Sequence, residues 1–70
     1  MNKATKTKLE NSFKEYDLDI SNFQYFSGDS YKASFDVRYY KKQNDRFYTS
    51  SIVVGKNQTY AQAIDMGINW

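Results

Sequence analysis

The sequence predicts an α+β domain of order α-β-β-β-α, a three-stranded antiparallel sheet with the C-terminal helix packed on one face. Three observations predict it. Tyr31, Ala33, Phe35, Val37 and Tyr39 alternate with Lys32, Ser34, Asp36, Arg38 and Tyr40, which is the period of a half-buried strand. Thr59-Tyr60-Ala61-Gln62 has the Thr-x-x-Gln spacing of a capping box, set just ahead of a helically periodic apolar run. Leu9, Phe13 and Tyr16 stand at i, i+4 and i+7 and form one apolar stripe.

Taken in order, Met1 to Asp19 reads as a frayed start followed by an amphipathic helix. Glu10 and Lys14 stand four apart in the favourable order, and four Lys balance Glu10, Glu15, Asp17 and Asp19, so this segment is a solvated helix and not a basic arm. From Ile20 the period becomes two, with Phe23 and Tyr25 set against Asn22 and Gln24, until Gly28-Asp29-Ser30 supplies a turn. The Tyr31–Tyr40 strand follows. Lys41 to Asp45 is polar and ends in Asn-Asp, a hairpin connection, and Arg46 to Val54 is β-branched and aromatic enough for a third strand. Its buried face is left open by the pattern, because Phe47, Thr49, Ser51, Val53 and their neighbours do not alternate cleanly. Gly55-Lys56-Asn57 breaks that strand, and the last helix starts at Thr59 with Tyr60, Ala63, Ile64, Gly67 and Ile68 on one face and Trp70 close to it.

Seventy residues without repeat or linker make one domain, residues 1–70. A chain of that size buries only about 60% of its unfolded surface, so each large apolar side chain counts. Cys and His are both absent, which removes disulfides and the commonest zinc ligands as reinforcement. Aromatics take that place: seven Tyr, five Phe and one Trp form 19% of the chain. If Tyr31, Phe35, Tyr39, Phe13, Tyr16, Tyr60 and Trp70 fill the interior, then Tyr40, one of Phe47 and Tyr48, and one of Tyr25 and Phe26 face outward.

The Met1 start lacks the apolar stretch of a signal peptide, and no run of apolar residues is long enough for a bilayer, so the expected location is cytoplasmic, without a membrane. Catalysis is not expected. Without His or Cys, only Ser-Lys or carboxylate chemistry remains, and nothing at local spacing assembles it. Asp17 and Asp19 read as a solvated turn, and glycines isolated at 28, 55 and 67 do not make a phosphate-binding loop. No metal or cofactor is expected.

Binding is where the sequence is informative. Arg38, Lys41, Lys42 and Arg46 put four cations within nine residues, interleaved with Tyr39, Tyr40, Phe47 and Tyr48. Such a patch contacts phosphates through its cations, or fills protein pockets through its tyrosines. The partner-binding residues expected are Arg38, Tyr40, Lys41, Lys42, Arg46 and Tyr48, gathered on one face with Lys32 and Ser34. The plain alternative is an outer sheet face kept wet by charge.

Three resemblances bear on the partner. Tyr31-Lys32-Ala33-Ser34-Phe35, Tyr39-Tyr40-Lys41-Lys42 and Thr59-Tyr60-Ala61-Gln62-Ala63 resemble the arm-type, AP2-like domain of tyrosine-recombinase integrases. That resemblance implies a sheet in the major groove with Arg38, Lys42 and Arg46 as readers, although the third strand has Thr49-Ser50-Ser51-Ile52-Val53-Val54 where the family carries basic residues. The element order is similar to the double-stranded-RNA-binding domain, but that family's lysine cluster at the second helix is replaced by Thr59-Tyr60-Ala61-Gln62. As a class, a short chain with spare aromatics and no enzyme chemistry resembles small phage or mobile-element inhibitors, anti-CRISPR proteins among them, which share no motif.

A net charge of +2 favours a protein partner over a duplex, whose binding leans on many cations. The expected function is therefore a non-enzymatic accessory protein that inhibits or modulates a host nucleic-acid-processing complex by protein-protein contact. Direct DNA-duplex binding by the same face is the runner-up. A structural homodimer, permitted by an open strand edge, is the third reading.

Overall fold

The computed structural model describes residues 1–68 of the chain. In chain order it has α1 (Lys3–Ser12), a short 3-10 turn (Lys14–Tyr16), β1 (Asp19–Tyr25), β2 (Tyr31–Lys41), β3 (Arg46–Gly55) and α2 (Tyr60–Gly67). The strands form one antiparallel meander, β1-β2-β3. Leu9 of α1 and Ala63 and Ile64 of α2 join the same buried cluster as Phe35, Val37 and Tyr39 of β2. Both helices therefore cover one face of the sheet, and the α+β order expected from the sequence holds.

Each end of this architecture has a local cause. α1 begins where the Asn2 side chain accepts the Thr5 N–H at 2.8 Å, filling one of the four donors that a helix start leaves unpaired. It stops at Ser12, sooner than the Leu9-Phe13-Tyr16 stripe suggests. The chain turns through the 3-10 segment into Asp17, which adopts the left-handed conformation (φ 52°) that short polar side chains tolerate. Lys14 is thus outside the helix and does not serve as the helical partner of Glu10. The Glu10 carboxylate instead accepts the Ile20 N–H at 3.1 Å, tying α1 to the head of β1. α2 is capped as its sequence requires: Thr59 Oγ1 accepts the Gln62 N–H at 3.1 Å, and Gln62 Oε1 accepts the Thr59 N–H at 2.9 Å.

Two irregularities decide which side chains are buried. Between Ser21 and Gln24 the β1 register shifts against β2, with Asn22 in the left-handed region at φ 54°. One extra residue there is a β-bulge, and it lets Ile20 and Phe23, three apart, both face the helices. The Phe23 ring stacks on Phe35 at 5.9 Å. A second shift separates Tyr31 from Ala33, so Lys32 is the extra residue. Its ammonium lies 5.6 Å from the Tyr60 ring of α2, on the helix side and not on the polar face expected for it.

That second bulge also corrects the expected core. Tyr31 is 55% exposed, because the extra residue sets it opposite Gly55 on the side away from the helices. Phe35 and Tyr39 are buried, and Phe13, Tyr16 and Tyr60 are packed against the core edge. Tyr25 and Phe26 are both exposed, where one of them was expected inside: Tyr25 leans edge-on against Phe23 at 4.7 Å at the last position of β1, and Phe26 follows the end of the strand. Trp70, assigned to the interior from sequence, lies outside the described residues. Each large buried side chain contributes about 1.5–3 kcal/mol, so Phe35, Ile52 and Ile64, all almost completely buried, carry much of the fold.

Candidate functional site

The β2–β3 register settles the face left open by the sequence. Lys41 pairs with Arg46 across a four-residue loop, Tyr40 with Phe47, Arg38 with Thr49, Asp36 with Ser51 and Ser34 with Val53. Successive strand residues point to opposite faces. Ile52 and Val54 are therefore buried under the helices, while Phe47, Thr49, Ser51 and Val53 share the outer face with Ser34, Asp36, Arg38 and Tyr40. No helix among the described residues covers that face.

The outer face has three zones. At the hairpin end the Arg38 guanidinium lies 4.0 Å from the Phe47 ring centre, close enough for a cation-π contact, and the Tyr40 ring packs against Phe47 at 5.3 Å, tilted by 57°. The Tyr40 hydroxyl donates to Asp45. That carboxylate stabilises the neutral phenol, so the Tyr40 pKa is raised, first by this hydrogen bond and then by desolvation and the nearby negative charge. Asp45 can accept it because it closes the loop with φ 52°, a conformation Asp tolerates.

In the centre, Asp36 accepts from Asn22 Nδ2 at 2.8 Å and from Ser51 Oγ at 3.1 Å. One carboxylate thereby links all three strands. At the far end Tyr31, Phe26 and Val53 line a shallow hollow closed by the Ser27-Gly28-Asp29-Ser30 turn. Two apolar ends thus flank a polar, acid-bearing middle.

The six residues expected to act together are divided by the sheet. Arg38 and Tyr40 lie on the outer face. Tyr48, Lys41 and Arg46 alternate to the helix side: Tyr48 stacks on buried Tyr39 at 5.8 Å, its hydroxyl accepts from Asn44 Nδ2 at 2.7 Å, and Lys41 lies 5.6 Å over its ring. Lys42 is in the loop, beside Tyr16 and Lys41 in a small cleft. The expected single basic-aromatic face is therefore two surfaces, because a side chain's face follows its parity along the strand and not its closeness in sequence.

Phe47, Val53, Asp36, Tyr31 and Phe26 also lie on the outer face and were not among the six partner-binding residues expected, although Phe47 and Phe26 each belonged to a pair of which one member was expected outside. A signal for two of them was present. Once Lys41 to Asp45 is read as a four-residue loop plus one pairing residue, Tyr40 must oppose Phe47, and Val53 then follows by alternation.

No significant match to the chain was found among protein-family models, curated proteins or solved structures. Among the described residues no helix is long and apolar enough to cross a membrane.

Proposed function

We propose that this chain is a non-enzymatic accessory protein that acts by protein-protein contact through the outer face of its sheet, in the manner of small phage or mobile-element proteins that inhibit or modulate a host nucleic-acid-processing complex. The observation that carries this reading is the uncovered face itself, with apolar groups at both ends and a carboxylate at its centre. Exposed Tyr, Phe and Arg are the residue types that dominate interface energetics, since they offer large rigid contact area at low entropic cost. A nucleic-acid duplex is the poorer fit to this face. Asp36 would meet a surface carrying one negative charge per roughly 1.7 Å of helix axis, and Arg38 is the one cation in the central rows, already stacked on Phe47.

The runner-up, direct duplex contact, rests on a different surface: Lys41, Lys42 and Arg46 at the hairpin end. One experiment separates the two. Binding of the purified protein to mixed-sequence DNA and RNA duplexes is measured from low to physiological salt, for the native chain and for Lys42→Ala with Arg46→Ala. Micromolar or tighter binding that falls steeply with salt and is lost in the double variant establishes the runner-up and overturns the leading reading. No duplex binding, together with inhibition of a reconstituted host nuclease or recombination complex that Phe47→Ala abolishes and Lys42→Ala spares, is the expected result.

A further inference from the structure

The two outer strands of the sheet differ in how their free edges are defended. β1 has the Asn22 bulge within it and Asp19 at its head, devices that twist or charge an edge against further pairing. β3 has neither. Its register with β2 is regular from Arg46 to Val54, and from Phe47 to Gly55 it holds no charged residue and no proline. Among the described residues no other backbone pairs with that free edge. A long, regular, uncharged edge strand is a ready template for another strand.

The side chains of β3 say which strand. In a two-fold pairing the same patch meets itself, so residue i opposes j and j opposes i. Centring the axis on Ser50 sets Phe47 opposite Val53 and Thr49 opposite Ser51 on the outer face, and Tyr48 opposite Ile52 on the helix side. Aromatic thus meets β-branched on both faces and hydroxyl meets hydroxyl, the cross-strand combinations that stabilise antiparallel pairs. Moving the axis one residue either way sets Phe47 opposite Gly55 or Ser51 and loses these matches. Phe47 and Val53, 43% and 50% exposed, would cover one another twice.

We propose that β3 pairs antiparallel with β3 of a second copy of this chain about an axis at Ser50, giving a two-fold dimer with one continuous sheet. The outer faces of the two copies then adjoin, so a partner would meet a surface of doubled width. The dimer stands or falls by association state alone, independently of what that face binds.

The test is the molar mass of the native chain by analytical ultracentrifugation from micromolar to millimolar concentration, with amide hydrogen exchange recorded at both ends of the range. The expected result is a concentration-dependent dimer, with amides between Phe47 and Val53 gaining protection as it forms. Phe47→Lys with Val53→Lys, which sets like charges opposite each other at both crossings, weakens the dimer by at least about tenfold. Phe47→Lys with Val53→Glu restores it in a salt-sensitive form. Both positions are exposed, and circular dichroism of each variant reports folding separately. A chain that is monomeric throughout, or a dimer that the Lys/Lys variant leaves unchanged, overturns the proposal.

Discussion

The helix side and the outer side of this sheet are built from the same strands by alternate residues, yet they are stabilised by different physics. The helix side is apolar and close-packed: Phe35, Val37, Ile52 and Val54 are almost wholly withdrawn from water, and their worth is set by area and fit. The outer side is held by discrete polar links, Asn22 to Asp36 to Ser51 and Tyr40 to Asp45, between groups that water still reaches. Substitutions on the first side should therefore unfold the domain. Those on the second should change what it recognises while leaving it folded.

The largest expected effect is Phe35→Ala, which removes a ring that is 2% exposed, stacked on Phe23 and edge-on to Tyr60. A loss of about 3–5 kcal/mol is expected in urea denaturation, most of the stability such a small domain possesses. Next comes Gly67→Ala at the end of α2. A helical Gly→Ala change ordinarily stabilises by about 0.5–1 kcal/mol, but here the new methyl would collide with Cδ1 of buried Ile52. A net loss of about 1 kcal/mol is expected from that overpacking, and Ile52→Val in the same chain should recover part of it. A gain in stability from Gly67→Ala alone would mean that this side is packed less tightly than described.

On the outer side, Asp36→Ala should cost about 0.5–1 kcal/mol, the ordinary worth of exposed hydrogen bonds. A loss comparable to that of Phe35→Ala would erase the distinction between the faces. The smallest effect concerns Tyr40. Its hydroxyl bonds to Asp45 only while protonated, and its folded pKa is raised above the ordinary value of about 10. That contribution is therefore complete below the unfolded value and fades as pH climbs through the raised one. Asp45→Asn should bring the phenol's ultraviolet titration back toward the ordinary value and leave thermal stability at neutral pH almost unchanged.

Much of the fold was legible because local signals agreed with the final arrangement. The Thr59–Gln62 box and the Tyr31–Tyr40 alternation needed no tertiary information, and the three-stranded meander followed from the turns between them. The binding face was only half legible. Arg38 and Tyr40 were found, but Lys41, Arg46 and Tyr48 were grouped with them by nearness in sequence when parity sends them to the other side. Thr49-Ser50-Ser51 hid that parity, since three small hydroxyl residues in a row carry no in-out signal, and only pairing across the loop restores it. Tyr31 was misplaced for a different reason. A bulge at Lys32 leaves no compositional trace, as Lys is as ordinary in a bulge as in a strand. The shortened first helix was hidden likewise, because Phe13 at the junction and Tyr16 in the 3-10 turn still pack against the core, as the helical stripe would have had them do.

The extra residues at Asn22 and Lys32 make inward and outward a matter of counting. Excising Asn22 would close the first bulge and set Phe23 opposite Phe35 in regular alternation, with Ile20 and Phe23 both still toward the helices. Excising Lys32 would likewise close the second bulge and leave Tyr31 opposite Gly55, still on the outer face. The region from Ser21 to Ala33 thus holds two dispensable letters: a deletion scan across it should be mildest at Asn22 and Lys32 and harsh at Phe23 and Ala33, whose loss removes a side chain from the helix side.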